Sequence, residues 1–205
     1  MTAGRRLVVI APHPDDETLG CGSLIVSAVR LGIPVGIIAL TNGDASHPSS
    51  RRWPPAALGR LRSGEQRRAL ARLGAGDAKV RRLGWGDGRV AGDADGRRLS
   101  RALIALRAGV VLVTSDADHH PDHQAAARLA RGAAGRLGLP LVIYAVWSRV
   151  DTVRRGFRRD RARKSWAMAA HRSQVAGYIA DDPDGFRLSP AALASLIAGP
   201  EQFGI

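Results

Sequence analysis

Five short apolar runs, Leu7–Ala11, Pro34–Leu40, Ala78–Leu83, Val110–Val113 and Pro140–Val146, alternate with longer stretches whose apolar residues recur three and four positions apart. This alternation limits the fold more than any other feature of the chain. Runs that are nearly continuous in apolarity suit strands buried on both faces, and such strands are joined by helices packed over a parallel sheet. The helix-compatible stretches are Leu19–Leu31, Ala57–Leu73, Leu99–Leu106 and His123–Leu137. In the second, Leu58, Leu61, Ala69, Leu70 and Leu73 mark one face and Gly74 supplies the stop. The expected architecture is an α/β three-layer sandwich with a mostly parallel sheet of about five strands.

Beyond Val146 the pattern changes. Arg149–Arg163 holds seven arginines and is expected to be a mobile, solvated loop. A helix-compatible run, Lys164–Tyr178, follows it, then a turn cluster at Asp181–Gly185. Ser189–Ile197 reads as a last helix, with Ser189 as N-cap and Pro190 in the first helical position. A chain of 205 residues fits one domain. The expectation is a Rossmann-like core over 1–148 and a short extension over 149–205, made of the arginine-rich loop and C-terminal helices.

The charge is unusual: 31 Lys+Arg against 18 Asp+Glu leave +13. Taken alone, that favours nucleic acid or an anionic surface. Only Lys79 and Lys164 are lysines, however, and a chain rich in Arg, Ala and Gly is basic without needing such a partner. Nucleic acid is therefore not the expected partner. Cys21 is the sole cysteine, so neither an internal disulfide nor a cysteine zinc site forms. The first apolar run is shorter than a signal-peptide core, and no stretch approaches the roughly 20 apolar residues that span a bilayer. A soluble, cytoplasmic protein is expected.

The chemistry-bearing residues follow the strands. Pro12-His13-Pro14-Asp15-Asp16-Glu17 comes after the first run, Thr41-Asn42-Gly43-Asp44 after the second, and Gly84-Trp85-Gly86-Asp87 after the third. Asp116-Ala117-Asp118-His119-His120-Pro121-Asp122-His123 follows the fourth and Trp147-Ser148-Arg149 the fifth. Ligands of open α/β sheets bind at the carboxyl ends of strands, so one site is expected there. Its contents point to a metal. Four of the six histidines lie in two acid-rich clusters, and two histidines with one carboxylate and an open position make a recurring catalytic zinc arrangement. Within each cluster a pair sits three residues apart, His13 with Asp16 and His120 with His123. A carboxylate beside such a metal, here Asp15, can take a proton from water.

Pro12–Glu17 together with His120-Pro121-Asp122-His123 resembles the PIG-L/LmbE-like family of zinc-dependent N-deacetylases. The resemblance extends to Thr41–Asp44, Arg62-x-x-Glu65, Leu73-Gly74, Asp87, Lys164-x-x-Ala167, Ser173-Gln174 and Pro200-Glu201-x-Phe203. It implies His13, Asp16 and His123 as ligands of Zn2+, or of Fe2+, which the same donors accept. It further implies Asp15 as general base and His120 as the group that stabilises the oxyanion. Asp122 would orient a histidine ring and Glu17 would support the ligand turn, while Arg62, Asp87, Asp44 and Trp147 would contact substrate. His119 would be a solvated neighbour. The implied substrate is a small N-acetylglucosamine-type sugar or glycoconjugate. Arg51, Arg52, Trp53 and Arg154–Arg163 either rim the pocket for an anionic group or are simply solvated.

Three further readings compete. Leu19-Gly20-Cys21-Gly22-Ser23 resembles the glycine turn of nucleotide-dependent methyltransferases, although Pro12–Thr18 separates it from the strand and small residues also let a helix pack close to a sheet. The others are hydrolysis of another amide or ester, and a basic nucleic-acid-binding module. One independent cue concerns glutamate: the chain has only Glu17, Glu65 and Glu201, each within a stretch quoted above. Copies kept against the composition are expected to have roles.

Overall fold

A computed structural model describes residues 4–148 and 160–204. The arginine-rich loop expected over Arg149–Arg163 falls outside the described residues except for its last four positions.

The chain runs β1 (Arg6–Ala11), α1 (Asp16–Arg30), β2 (Val35–Thr41), α2 (Pro55–Arg72), β3 (Lys79–Trp85), α3 (Val90–Asp93), α4 (Gly96–Ala105), β4 (Ala108–Thr114), α5 (Pro121–Leu137), β5 (Leu141–Tyr144), α6 (Arg161–Met168), α7 (Arg172–Val175), α8 (Pro190–Ala198) and β6 (Phe203–Gly204). One six-stranded sheet has the order β3-β2-β1-β4-β5-β6. The first five strands are parallel, and β6 runs antiparallel to β5. The order reverses between β1 and β4, and that switch point is where an open sheet leaves a crevice.

Strand residues alternate between two cores. Leu7, Val9, Val35 and Ile37 face a layer made with Ile25, Leu70, Ala167 and Met168, whereas Val8, Ile10, Ile38 and Leu40 face Leu99, Leu103, Ala126 and Ala130. Burial on both sides explains why these strands read as continuous apolar runs. Close helix packing needs small residues: a Cβ on Gly20 would overlap the Tyr144 ring and the Ala145 carbonyl. That seats α1 against the sheet, with the Tyr144 hydroxyl donating to the Ile10 carbonyl at 2.9 Å.

Besides α3, which no expected helix covered, and α6, which begins at Arg161 inside the expected loop, three elements differ from expectation. β6 adds a sixth strand; a two-residue strand leaves no periodicity in the sequence. The run Lys164–Tyr178 is not one helix. α6 ends at Met168 and α7 begins at Arg172, because Ser173 is drawn to Glu65 on α2, which accepts from its amide at 2.9 Å and its hydroxyl at 2.6 Å. α1 starts at Asp16, so Asp16 and Glu17 occupy its first turn. The last helix forms as read, its Ser189 hydroxyl accepting from the Ala192 amide.

Candidate metal centre

The turn from β1 into α1 closes on itself: the Asp15 amide donates to the His13 carbonyl at 2.9 Å, and the His13 amide donates to Asp16 Oδ2 at 2.8 Å. Asp16 Oδ2 also lies 3.3 Å from His13 Nδ1 and 3.4 Å from His123 Nε2, the latter reaching in from the first turn of α5. His13, Asp16 and His123 each offer a ligand atom within 4.8 Å of the others, and all three are buried. The chemistry of this donor set fits a cation. His123 Nε2 is buried and makes no hydrogen bond among the described residues, which is costly for a ring nitrogen unless a further group meets it. A second combination, His13, His120 and Asp122, also converges within that distance.

Carboxylates hold both histidines from behind. Asp118 Oδ2 is 3.1 Å from His123 Nδ1, while Asp87 Oδ1 and Asp122 Oδ2 each lie 3.2 Å from His13 Nε2. Asp122 is itself fixed by the Gly88 and Val90 amides, and Asp87 by the Ala45 amide. This backing makes the outer nitrogens hydrogen-bond donors and leaves His13 Nδ1 and His123 Nε2 as the atoms able to meet a cation. Electrostatics agree. Burial opposes charge on His123, yet Asp16 and Asp118 outweigh it and raise its pKa to about 9. Burial likewise favours neutral Asp87, but the bond from His13 prevails and holds its pKa at about 2. The cluster is a well of negative potential that favours positive charge at the histidines.

Asp15 precedes α1, yet its side chain makes no capping bond to the helix. Its Oδ2 instead accepts from Arg62 Nη2 at 3.1 Å, both groups being buried. Burial pushes the Asp15 pKa up and the guanidinium draws it down, with a net rise that strengthens it as a base. Arg62 also donates to the Gly43 carbonyl at 2.9 Å, and a side chain on Gly43 would overlap the guanidinium. His120 caps α5: its Nδ1 accepts from the Asp122 amide at 3.2 Å. Burial lowers its pKa, so the ring is neutral and carries its proton on Nε2.

A cavity of about 270 Å³ opens over these groups and is lined by His13, Asp15, Asp16 and His120 among others. Of the substrate contacts implied by the resemblance, Asp87, Trp147 and Arg62 line it, although the Arg62 guanidinium is engaged by Asp15. Asp44 does not line the cavity; its Cβ lies close to Gly59 on α2. Arg51, Arg52 and Trp53 do not line it either. The first two give their amides to Asp181, and Trp53 packs on Tyr178. Arg154–Arg159 lie outside the described residues. Glu17 accepts from Gln66 on α2 and from the Thr18 hydroxyl, and burial lifts its pKa to about 7. The His119 side chain is 78% exposed. Sequence reasoning quoted Asp118 and Gln174 without giving either a role, and did not name Ser46 or Phe186. Asp118 stood in a quoted cluster but five residues from its histidine, a spacing with no helical meaning, and Phe186 had no local cue at all.

Comparison with known proteins agrees with this site. Residues 8–134 match the family described as PIG-L: GlcNAc-PI de-N-acetylase. The 1D-myo-inositol 2-acetamido-2-deoxy-alpha-D-glucopyranoside deacetylase of Rhodococcus opacus (strain B4) is 31% identical over 95% of this chain and 73% of its own length. The protein of the same name from Mycolicibacterium paratuberculosis (strain ATCC BAA-968 / K-10) is 33% identical over 58% of this chain; the chain spans only 47% of that relative. Among solved structures, the conserved protein TT1542 from Thermus thermophilus superposes with a TM-score of 0.64 at 30% identity, covering 83% of this chain and 80% of that one. A match over more than half the chain, spanning His13, Asp16 and His123, makes this protein a member of the PIG-L family.

Proposed function

We propose that this chain is a zinc-dependent hydrolase that removes the acetyl group from an N-acetylglucosamine-type sugar or glycoconjugate. The observation that carries this is the convergence of His13, Asp16 and His123, with His13, Asp16 and the buried carboxylate of Asp15 lining one cavity. His13 Nδ1, Asp16 and His123 Nε2 would hold Zn2+, and Fe2+ suits the same donors. When bound, the ion supplies Lewis acidity toward the acetyl carbonyl and toward water.

The chain's own groups account for the proton movements. Asp15 accepts a proton as water adds to the amide carbonyl carbon, and Arg62 keeps the carboxylate aimed into the cavity. Neutral His120 gives a hydrogen bond from Nε2 to the oxygen that becomes negative. As the C–N bond breaks, the proton on Asp15 passes to the departing nitrogen, so acetate and a free amine leave. The relatives' names support a glycoside of N-acetylglucosamine as the substrate class.

Cytoplasmic placement belongs to the same proposal; no described helix is long and apolar enough to cross a membrane. The test is to quantify bound metal and follow amine release from N-acetylated sugars. One equivalent of metal and turnover are expected. Asp15→Asn should keep the metal and lose about a hundredfold or more in kcat. Full activity in that variant would sink the mechanism.

A further inference from the structure

Three hollows of about 340, 440 and 390 Å³ follow one another along α5, on the sheet face that α4 also covers. Arg136 lines the first and the second, and Leu137 lines the second and the third, so they form one groove. It accompanies α5 from Ala125 to Leu137, about 18 Å at 1.5 Å per residue. None of its lining residues lines the cavity over the metal centre.

The groove is charged with one sign. Arg5, Arg97, Arg101, Arg107, Arg128 and Arg136 line it, and no carboxylate does. Of the six, only Arg101 has an acidic partner among the described residues, Asp95 at 3.7 Å. Like charges gathered in a cleft repel one another and concentrate a field that attracts anions. Between the arginines the surface is apolar: Leu103, Leu129, Leu137 and Leu139 line it, together with Ile104, which is 61% exposed.

Two of the arginines are placed with more than chance composition. Arg136 donates to the Gly96 carbonyl at 3.1 Å and to the Ser100 hydroxyl at 3.2 Å, which ties its guanidinium on α5 to α4. Arg107, just after α4, has a φ of 54° and is the one residue other than glycine with positive φ among the described residues. A Cβ crowds the following carbonyl in that conformation, and glycine is the ordinary solution. The Arg107 side chain makes no hydrogen bond or ion pair among the described residues, so no contact within them offsets the strain.

We propose that this groove docks an acidic amphipathic helix of another protein. Its apolar stripe would lie on Ile104, Leu129 and Leu137, with carboxylates meeting the arginines of α4 on one side and of α5 on the other. A second copy of this chain does not fit, because arginine would face arginine. Nucleic acid brings no apolar stripe, and the lining has no aromatic ring on which a base could stack. A membrane surface is flat, whereas this apolar strip is recessed between helices.

The test measures binding of a fluorescent peptide of about 18 residues, with leucines at i, i+3, i+4 and i+7 and glutamates between them, by anisotropy. A scrambled peptide of the same composition, single-stranded DNA and phosphatidylglycerol vesicles are compared with it. The patterned peptide should bind the wild type at least about tenfold tighter than the scrambled one. Ile104→Glu should weaken it about tenfold, and the double variant Arg97→Gln/Arg128→Gln about fivefold. Arg60→Gln/Arg67→Gln removes the same charge from α2, on the opposite sheet face, and should leave binding within about twofold. Arg107→Gly should weaken binding about threefold while its thermal midpoint stays at or above that of the wild type, a combination that a merely structural arginine would not give. No binding of the patterned peptide, equal binding of the two peptides, or equal loss in the α2 variant overturns the proposal. So does tighter binding of DNA or vesicles that the groove variants weaken, which would assign the surface to those partners instead.

Discussion

Asp118 Oδ2 serves two groups at once, orienting the His123 ring and anchoring the Trp147 backbone. Removing such a partner of a ligating histidine typically weakens metal binding about 10–100-fold. Asp118→Ala should show that loss in competition with a chelator while retaining the fold, and unchanged affinity would mean that His123 needs no support. His171 offers a different residue-scale check. It is buried and contacts Thr18 at 3.3 Å, and burial, aided by the charges of Arg62 and Arg68, lowers its pKa to about 3. Between that value and the unfolded value of about 6.5, the unfolded chain binds a proton that the folded chain does not. Stability therefore rises with pH across this window. Acidification through it should cost up to about 1.4 kcal/mol per pH unit from this residue. Denaturant titrations at several pH values should give a shallower acid slope for His171→Gln than for the wild type.

At the scale of elements, the three glutamates act as fasteners. Glu17 ties α1 to Gln66 on α2, and Glu65 ties α2 to Ser173 on α7. Glu201 ties the approach to β6 to α1 through the Ser23 and Leu24 amides and to α6 through Lys164 at 2.9 Å. All three are buried, so each carboxylate must be met by donors or be destabilising. Lys164→Met leaves Glu201 with backbone donors alone. Breaking a buried pair from one side costs about 3–5 kcal/mol, and a urea titration should read a loss of that size. Their scarcity in the sequence signalled these roles, but the partners lie 37 to 178 positions away, beyond any local pattern.

For the whole molecule, the candidate metal centre joins the two halves of the sheet, since the residues that could hold an ion come from the β1–α1 junction and from α5 after β4. An ion bound only by the folded chain stabilises it by mass action, about 4 kcal/mol at a thousandfold excess over Kd. Chelation should lower the thermal midpoint, and added Zn2+ should restore it. An unchanged midpoint would separate the cluster from metal binding. The same centre bears on charge: carboxylates Asp15, Asp16, Asp87, Asp118 and Asp122 gather at one sheet edge, in a chain whose net charge is +13.

By itself the sequence determined the parallel α/β layering, because strands buried on both faces must be continuous in apolarity, and it placed the acid and histidine clusters at strand ends. The two acid and histidine clusters were legible as a candidate metal site from their composition, whereas the resemblance singled out His13, Asp16 and His123 within them. Tertiary structure alone decided which ring nitrogens face the cavity, that Arg62 serves Asp15, that Asp44 lies outside the cavity, and that Trp147 and Phe186 meet. Those facts depend on contacts between residues far apart in the chain. Side-chain periodicity carries information only over the few residues of one helix or strand.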